Sequence, residues 1–130
     1  MRVERLPGGN TMFNSEKLDV WQKAIDFADL IYNETWPFPA EERFGLTNQL
    51  HRAATSVSSN IAEGSSRSSK TDFARFIEIA AGSVFETVSQ AFVARRQNLL
   101  SENNFRGIYS AAEEQSRMLS GLRRSLLNQE

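Results

Sequence analysis

The sequence predicts an all-α protein that folds as an antiparallel up-down-up-down four-helix bundle. Apolar residues recur every three or four positions over four long segments, and short polar or proline-containing stretches separate these segments. No segment shows the alternation of a β-strand. Amphipathic helices with short connections bury their apolar faces by packing side by side. We expect residues 15–130 to form the bundle domain and residues 1–14, which contain Pro-Gly-Gly, to form a disordered tail.

Composition excludes several classes of protein. A length of 130 residues suits one domain, and the chain has no cysteine, so thiolate zinc sites and cysteine catalysis are ruled out. Fifteen Lys and Arg residues face sixteen Asp and Glu residues, which is not the strongly basic balance of a dedicated nucleic-acid binder. No apolar run approaches a membrane span of about 20 residues, and no signal peptide is evident. We therefore expect a cytoplasmic protein without membrane contact.

The first helix is expected to begin near Ser15 or Asp19 and to end before Pro37, because a proline disfavours the helical conformation of the residue before it. A wide apolar face is predicted for this helix. This face consists of Leu18, Trp21, Ile25, Ala28 and Tyr32, together with Phe27, Leu30 and Ile31 beside them.

Three further helices follow, each with a terminal signal. The second is expected over residues 46–63 with Gly64 as its C-cap, and the third over residues 70–98 with Ser69 as its N-cap. Ser101 is expected to cap the fourth, which runs to about residue 127. The third helix contains Gly82 near its middle, at a cost of about 1 kcal/mol relative to Ala. Close approach by another backbone would explain this glycine.

A row of polar residues along the second helix is the main candidate site. Because residues three and four positions apart share a helix face, these side chains should meet polar residues of the third helix. We favour a hydrogen-bonded seam between helices or subunits over a ligand-binding or catalytic pocket. The row consists of Gln49, Arg52, Ser56, Asn60 and Glu63, and its expected counterparts are Glu78, Gly82, Ser83 and Glu86.

Enzymatic chemistry finds little support. Glu63, Glu78 and Glu86 are the carboxylates worth considering for acid–base catalysis or metal binding. A di-iron bundle needs two Glu-x-x-His motifs, whereas His51 is the sole histidine. We expect His51 to be an ordinary surface or interface residue, and we predict no catalytic residue, no cofactor and no metal.

Cations and aromatic side chains provide candidate nucleic-acid contacts. The candidate phosphate or RNA contacts are Arg67, Lys70, Arg75, Arg95 and Arg96. We favour the interpretation without a ligand, in which a capped loop and the helix dipole account for these positions. The aromatic residues that could stack bases are Trp21, Trp36, Phe38 and Phe44, for which we favour packing in the core or between subunits.

Several motifs, in this order, resemble one bacterial family. Residues 18–24 read Leu-Asp-Val-Trp-Gln-Lys-Ala, residues 42–46 read Glu-Arg-Phe-Gly-Leu, and residues 59–64 read Ser-Asn-Ile-Ala-Glu-Gly. Ala80, Gly82, Ser83 and Glu86 complete an Ala-x-Gly-Ser-x-x-Glu motif. Together they resemble the 23S ribosomal RNA intervening sequence proteins, also called the four helix bundle protein family.

This resemblance implies a ring-like homo-oligomer, with a pentamer favoured. Some members are encoded within insertions in 23S ribosomal RNA genes, and related accessory proteins of retroelements resemble basic rings that engage nucleic acid. We therefore expect a non-enzymatic oligomeric scaffold associated with ribosomal RNA or another nucleic-acid-bearing partner. The alternative is a protein–protein interaction module without direct nucleic-acid binding, since the chain is nearly neutral.

Overall fold

The structure, a computed structural model, describes residues 12–128, and over this range it contains helices and no strand. Each long helix packs against the next along the chain and the last returns to the first, whereas the backbones of the diagonal pairs stay more than 8 Å apart between Cα atoms in this range. This arrangement confirms the predicted four-helix bundle. The long helices are α1 (Asp19–Thr35), α2 (Leu46–Ser65), α3 (Lys70–Arg96) and α4 (Glu102–Asn128), and short 3-10 helices occupy Asn14–Lys17 and Ala40–Glu42.

Side-chain contacts show how α3 and α4 run relative to each other. The rings of Phe92 and Phe105 lie 4.7 Å apart beside the connection between the two helices. Far from that connection, Arg123 contacts Glu78 at 2.9 Å. The two helices are therefore antiparallel, so the start of α3 and the end of α4 lie at the same end of the bundle. The predicted tail, residues 1–14, falls mostly on residues 1–11, which lie outside the described range.

Aliphatic side chains from all four helices form the core. A fully buried Ile, Leu or Val side chain stabilises the fold by roughly 1.5–3 kcal/mol, so these residues account for much of the driving force. The largest fully buried apolar side chains are Ile31, Leu50, Val57, Ile61, Ile77, Val84, Ile108 and Leu119.

The core face of α1 lies largely within the predicted wide apolar face. Phe27, Ala28 and Ile31 of that face are buried, as are Val20 and Ala24 beside it. Leu18, Trp21 and Leu30 are partly buried and pack against the core, whereas Tyr32 is 47% exposed. Apolar residues cover more than half of this helix's circumference, so its own pattern does not decide which stripe faces α2 and α4.

Both predicted serine caps are confirmed. The Ser69 hydroxyl accepts a hydrogen bond from the Asp72 backbone N–H, and the Ser101 hydroxyl accepts one from the Asn104 N–H, each at 3.0 Å. These bonds satisfy backbone donors that a helix N-terminus leaves without partners. Helix α3 therefore begins where its cap predicts, at Lys70.

Helix α3 ends at Arg96, two residues earlier than predicted. Asn98 takes a positive φ of 62°. The Leu99 N–H bonds the Ala94 carbonyl and the Asn98 N–H bonds the Arg95 carbonyl, which is the hydrogen-bond pattern of a Schellman motif. Asparagine tolerates this left-handed conformation better than most residues other than glycine.

Gly64 is not the C-cap that the sequence predicts, because α2 continues through it to Ser65. A Cβ atom at this position would lie 2.7 Å from Cβ of Phe76 and 2.9 Å from Cδ1 of Phe73. The absence of a side chain thus allows the end of α2 to approach the start of α3 closely.

Helix α3 is long and apolar enough to cross a membrane by length and composition, contrary to the sequence expectation, and 39% of its most apolar window is buried. A core helix of a bundle meets the same criterion. Helix α3 lies between α2 and α4 and buries residues along its whole length, so this finding alone carries no argument for a membrane. It does show that much apolar surface of α3 is not covered within one chain.

Candidate functional site

The predicted polar row lines part of a groove between α2 and α3. This polar groove, of about 340 Å³, is lined by Gln49, Arg52, Ala53 and Ser56 from α2 and by Glu86 and Gln90 from α3. It brings together four of the predicted site residues. Gln90 is an additional member that was not among the predicted site residues.

Ser56 is the hydrogen-bonding centre beside the polar groove. The Ser83 hydroxyl donates to the Ser56 hydroxyl at 2.9 Å and thereby links α3 to α2. The Asn60 side-chain amide donates to the Ser56 carbonyl at 2.8 Å and contacts its hydroxyl at 3.0 Å. Ser56, Asn60 and Ser83 therefore form the hydrogen-bonded part of the predicted seam.

Other predicted members of the seam point elsewhere. Glu63 pairs with Arg67 at 3.0 Å, and Glu78 pairs with Arg123 of α4 at 2.9 Å. The three glutamates considered for acid–base chemistry therefore do not converge. Among the described residues, no group of three or more His, Asp or Glu side chains is placed to hold a metal ion.

Two charged side chains and one amide oxygen of the polar groove lack partners within residues 12–128. The exposed side chains of Arg52 and Glu86 line the same groove, and neither forms an ion pair in this range. A seam held by an ion pair of Arg52 is therefore absent within these residues. The Gln90 Oε1 atom is buried and has no hydrogen-bond partner in the same range. These groups remain available to a partner that covers the groove.

A second groove, which the sequence analysis missed, lies between α3 and α4. This apolar groove has a volume of about 380 Å³. Its floor includes Val84, Phe85, Val88 and Tyr109, and Glu113 and Arg117 line it as well. The sequence signal was the 4-3-4 spacing of Ala81, Phe85, Val88 and Phe92, a second apolar stripe beside the core face of α3.

Most of the predicted phosphate-binding cations already have partners. Arg67 and Arg75 both contact Asp72, at 3.7 and 3.0 Å, and both guanidinium groups lie 4.6 Å from the ring centroid of Phe76. Arg95 contacts Glu102 at 3.2 Å. A hydrogen bond from Arg106, together with the charge of Arg95, lowers the pKa of the Glu102 carboxyl.

The aromatic residues divide into two groups. Trp21 and Phe38 pack against the core as predicted, but Trp36 is 88% exposed and Phe44 is 87% exposed. Trp36 and Phe38 also line a third cavity, the end pocket, of about 440 Å³ at the turn between α1 and α2. Trp36 and Phe44 therefore do not pack in the core of one chain, and their packing between subunits stays a prediction.

His51 lies in the end pocket and is more than an ordinary surface residue. Its ring stacks on Tyr32 with a centroid distance of 3.8 Å and an interplanar angle of 17°. Its Nε2 atom lies 2.8 Å from the Thr35 hydroxyl oxygen, which also donates to the Ile31 carbonyl at 2.8 Å. Burial lowers the pKa of His51 and so favours the neutral ring.

The fold and its lateral grooves define a class: a four-helix bundle that leaves polar and apolar surface uncovered along α3. The family model of the 23S rRNA-intervening sequence proteins matches residues 16–121. The chain belongs to this family. No functionally curated protein matches it.

A solved structure gives independent support for the fold. A protein from Bacteroides thetaiotaomicron, described as a protein of unknown function from the S23 ribosomal protein family, is similar over 80% of this chain and 97% of its own. The TM-score is 0.73 and the sequence identity is 24%. This similarity supports the arrangement of the helices and says nothing about activity.

Proposed function

We propose that this chain is a non-enzymatic, cytoplasmic subunit of a homo-oligomeric scaffold that associates with RNA, and that the two grooves beside α3 form the contacts between subunits. The carrying observation is the uncovered apolar surface of α3. Phe85 is 68% exposed and lines the apolar groove, and Phe92, one of the same 4-3-4 stripe, is 38% exposed. Large exposed apolar surface on a helix favours contact with another protein.

The charges of the two grooves are complementary. Arg52 and Glu86 line the polar groove, and Glu113 and Arg117 line the apolar groove, without ion pairs among the described residues. Both grooves lie beside the same stretch of α3, residues 84–90, on opposite sides. If the polar groove of one copy covers the apolar groove of the next, each exposed charge gains an opposite charge.

A contact between two different surfaces of the same chain is heterologous. Repetition of such a contact produces a ring when the rotation closes. Both grooves lie at the same position along the axis of α3. Neighbouring subunits that join through them are therefore not displaced along that axis, which favours a ring over a staggered filament. The family resemblance favours five subunits.

Gly82 offers a sharp test of assembly. A Cβ atom at Gly82 would meet nothing within 4 Å inside the chain, and the same holds for Gly107 on α4. Replacing either glycine by leucine should stabilise the isolated helix by up to about 1 kcal/mol. If neighbouring subunits pack against α3, Gly82→Leu should weaken assembly in sedimentation velocity, whereas Gly107→Leu should not.

Sedimentation of the unmodified chain tests the proposal directly. We expect a species larger than a monomer at micromolar concentration, and its dissociation by Phe85→Glu. A monomer throughout that concentration range would refute the assembly. Equal behaviour of the Gly82→Leu and Gly107→Leu variants would place the interface away from α3.

For RNA, the end of the bundle that holds the start of α3 and the end of α4 is the candidate surface. Five cations, Arg67, Lys70, Arg75, Arg123 and Arg124, belong to this end, and the nearby acids Glu63, Asp72 and Glu78 neutralise part of their charge. In an oligomer the remaining positive charge repeats once per subunit. Arg95 and Arg96 lie at the other end of α3, about 40 Å away.

Binding of a structured RNA hairpin tests this part by fluorescence anisotropy. Because released counterions contribute to affinity, binding should weaken steeply between about 50 and 200 mM salt. A Lys70→Gln/Arg124→Gln variant should bind more weakly than an Arg95→Gln/Arg96→Gln variant. Assembly without binding at low salt would remove the RNA part and favour the alternative, a protein interaction module in which the apolar groove accepts a partner helix.

A further inference from the structure

The end pocket combines stacked rings, an apolar lining and one cation. Tyr32 and His51 stack in parallel, Trp36 and Phe38 add two further aromatic rings, and the pocket lining is mostly apolar. Arg43 also lines the pocket. Its guanidinium group forms no ion pair within residues 12–128, and it lies 5.9 Å from the centroid of the Phe44 ring. The volume of about 440 Å³ is within the range of small-molecule sites.

The hydrogen bonds of the pocket define the form of His51. The Thr35 hydroxyl has one proton, and it donates this proton to the Ile31 carbonyl at 2.8 Å. The 2.8 Å contact with His51 therefore requires Nε2–H of the imidazole to donate to the Thr35 oxygen. In the neutral ring, Nδ1 is then a hydrogen-bond acceptor.

We propose that the end pocket binds one nucleotide unit, with its base against the aromatic rings and its phosphate at Arg43. The exposed rings supply stacking surface for a planar base, which is sequence-tolerant because every base has an aromatic face. The Nδ1 atom of His51 can accept from an exocyclic amino group. The unit comes either from a free mononucleotide or from an unpaired position in single-stranded RNA.

The surroundings of Arg43 restrict the site to one unit. Glu41 and Glu42 immediately precede Arg43 in the sequence, and their charges oppose a continuous row of phosphates. The end pocket therefore does not bind successive nucleotides along a nucleic-acid strand, as the grooves of general single-strand binding proteins do. Its occupancy does not depend on assembly, and only the RNA source of the nucleotide rests on the function proposed above.

Trp36 provides the readout. The chain has two tryptophans, so a Trp21→Phe background leaves Trp36 as the single tryptophan, whose emission can be excited selectively over that of tyrosine. Titrations with AMP, with CMP and with a short unstructured RNA are compared with ribose 5-phosphate, which lacks a base. We expect base-dependent quenching that saturates, and no saturable change with ribose 5-phosphate.

Variants locate the site. Tyr32→Ala and Arg43→Gln should each weaken binding roughly tenfold, which corresponds to the loss of one stacking or charged contact. Phe13→Ala is the control, because Phe13 is also an exposed aromatic residue but does not line the pocket. Circular dichroism of each variant confirms folding, and sedimentation velocity reports assembly separately.

The possible outcomes distinguish a free mononucleotide from RNA as the ligand, and they test the end pocket separately from the scaffold function. Saturable quenching by mononucleotides alone assigns a free nucleotide, and quenching by the RNA supports an unpaired RNA position. Saturable binding of neither, or binding of a proline-rich peptide in their place, overturns the end-pocket proposal. In that case, binding of the RNA hairpin at the end of the bundle that holds the start of α3 and the end of α4 would still support the scaffold function.

Discussion

Gly64 and Phe76 pack so closely that a Cβ atom on Gly64 would lie 2.7 Å from Cβ of Phe76. The contact joins the last turn of α2 to the first turns of α3. Because the obstructing atom is next to the backbone, it cannot move aside by a simple side-chain rotation. The two helices would have to separate to admit a side chain at Gly64.

We predict that Gly64→Ala lowers the free energy of unfolding by about 1–3 kcal/mol, the usual cost of overpacking. Urea unfolding measures this change. Gly107→Ala is the control, because nothing lies within 4 Å of its added Cβ atom. The control should gain up to about 1 kcal/mol from helix propensity. Equal gains for both variants would contradict the close contact.

Substitutions at Gln115 can distinguish the contribution of packing to stability from that of hydrogen bonding in the core. It is 1% exposed, and its Nε2 atom donates to the Val20 carbonyl at 3.1 Å, which ties α4 to the start of α1. We predict that Gln115→Ala costs about 2–4 kcal/mol through lost contacts and a cavity. Gln115→Leu restores most of the volume and should cost less than half as much. Equal losses in urea unfolding would assign the effect to the hydrogen bond.

Asn98 tests the end of α3. Its φ of 62° is strained for most side chains but not for glycine. Asn98→Ala should therefore destabilise the fold by about 1 kcal/mol, whereas Asn98→Gly should leave it unchanged or slightly more stable. Thermal unfolding of the pair provides the measurement. A more stable alanine variant would show that this residue does not hold the left-handed conformation.

His51 should make stability depend on pH. Burial lowers its pKa in the folded chain, so the unfolded chain binds the proton more readily. Stability is therefore complete above the ordinary histidine pKa of about 6.5 and decreases as the pH falls through that value. We predict a lower urea midpoint at pH 5.5 than at pH 7.5.

The control for this pH effect is His51→Gln, which retains a polar side chain and cannot titrate. Because His51 is the sole histidine, the variant should show a nearly flat midpoint over the same range. The hydrogen bond from Arg106 lowers the pKa of Glu102, so this carboxyl does not add to the change between these two pH values. A variant that retains the full pH dependence would assign the effect to another group.

Arg52 and Asn60 lie in the same polar row but should respond differently to replacement by alanine. Asn60 donates hydrogen bonds to Ser56, so Asn60→Ala should lower the unfolding free energy by about 0.5–1.5 kcal/mol. Arg52 is exposed and forms no ion pair within residues 12–128, so Arg52→Ala should change it by less than about 0.5 kcal/mol. Sedimentation should instead reveal weaker assembly. Unaltered assembly would remove Arg52 from the interface.

The sequence by itself determined the number of helices, their approximate ends and the family. These properties depend on signals within a few residues of each other: the serines at positions 69 and 101 that cap α3 and α4, the prolines that follow α1, and the three-to-four spacing of apolar residues. Such signals act through local backbone geometry, so a linear reading detects them.

Only the tertiary structure decided which groups meet. It left Tyr32 of the apolar face of α1 exposed, turned Glu63 and Glu78 away from the polar groove, and placed His51 against Tyr32. It also revealed that Gly64 is required for a close helix contact and not for a cap. Each of these facts depends on the rotation of one helix relative to its neighbours. That rotation is set by the packing of all four helices together, and no single helix encodes it.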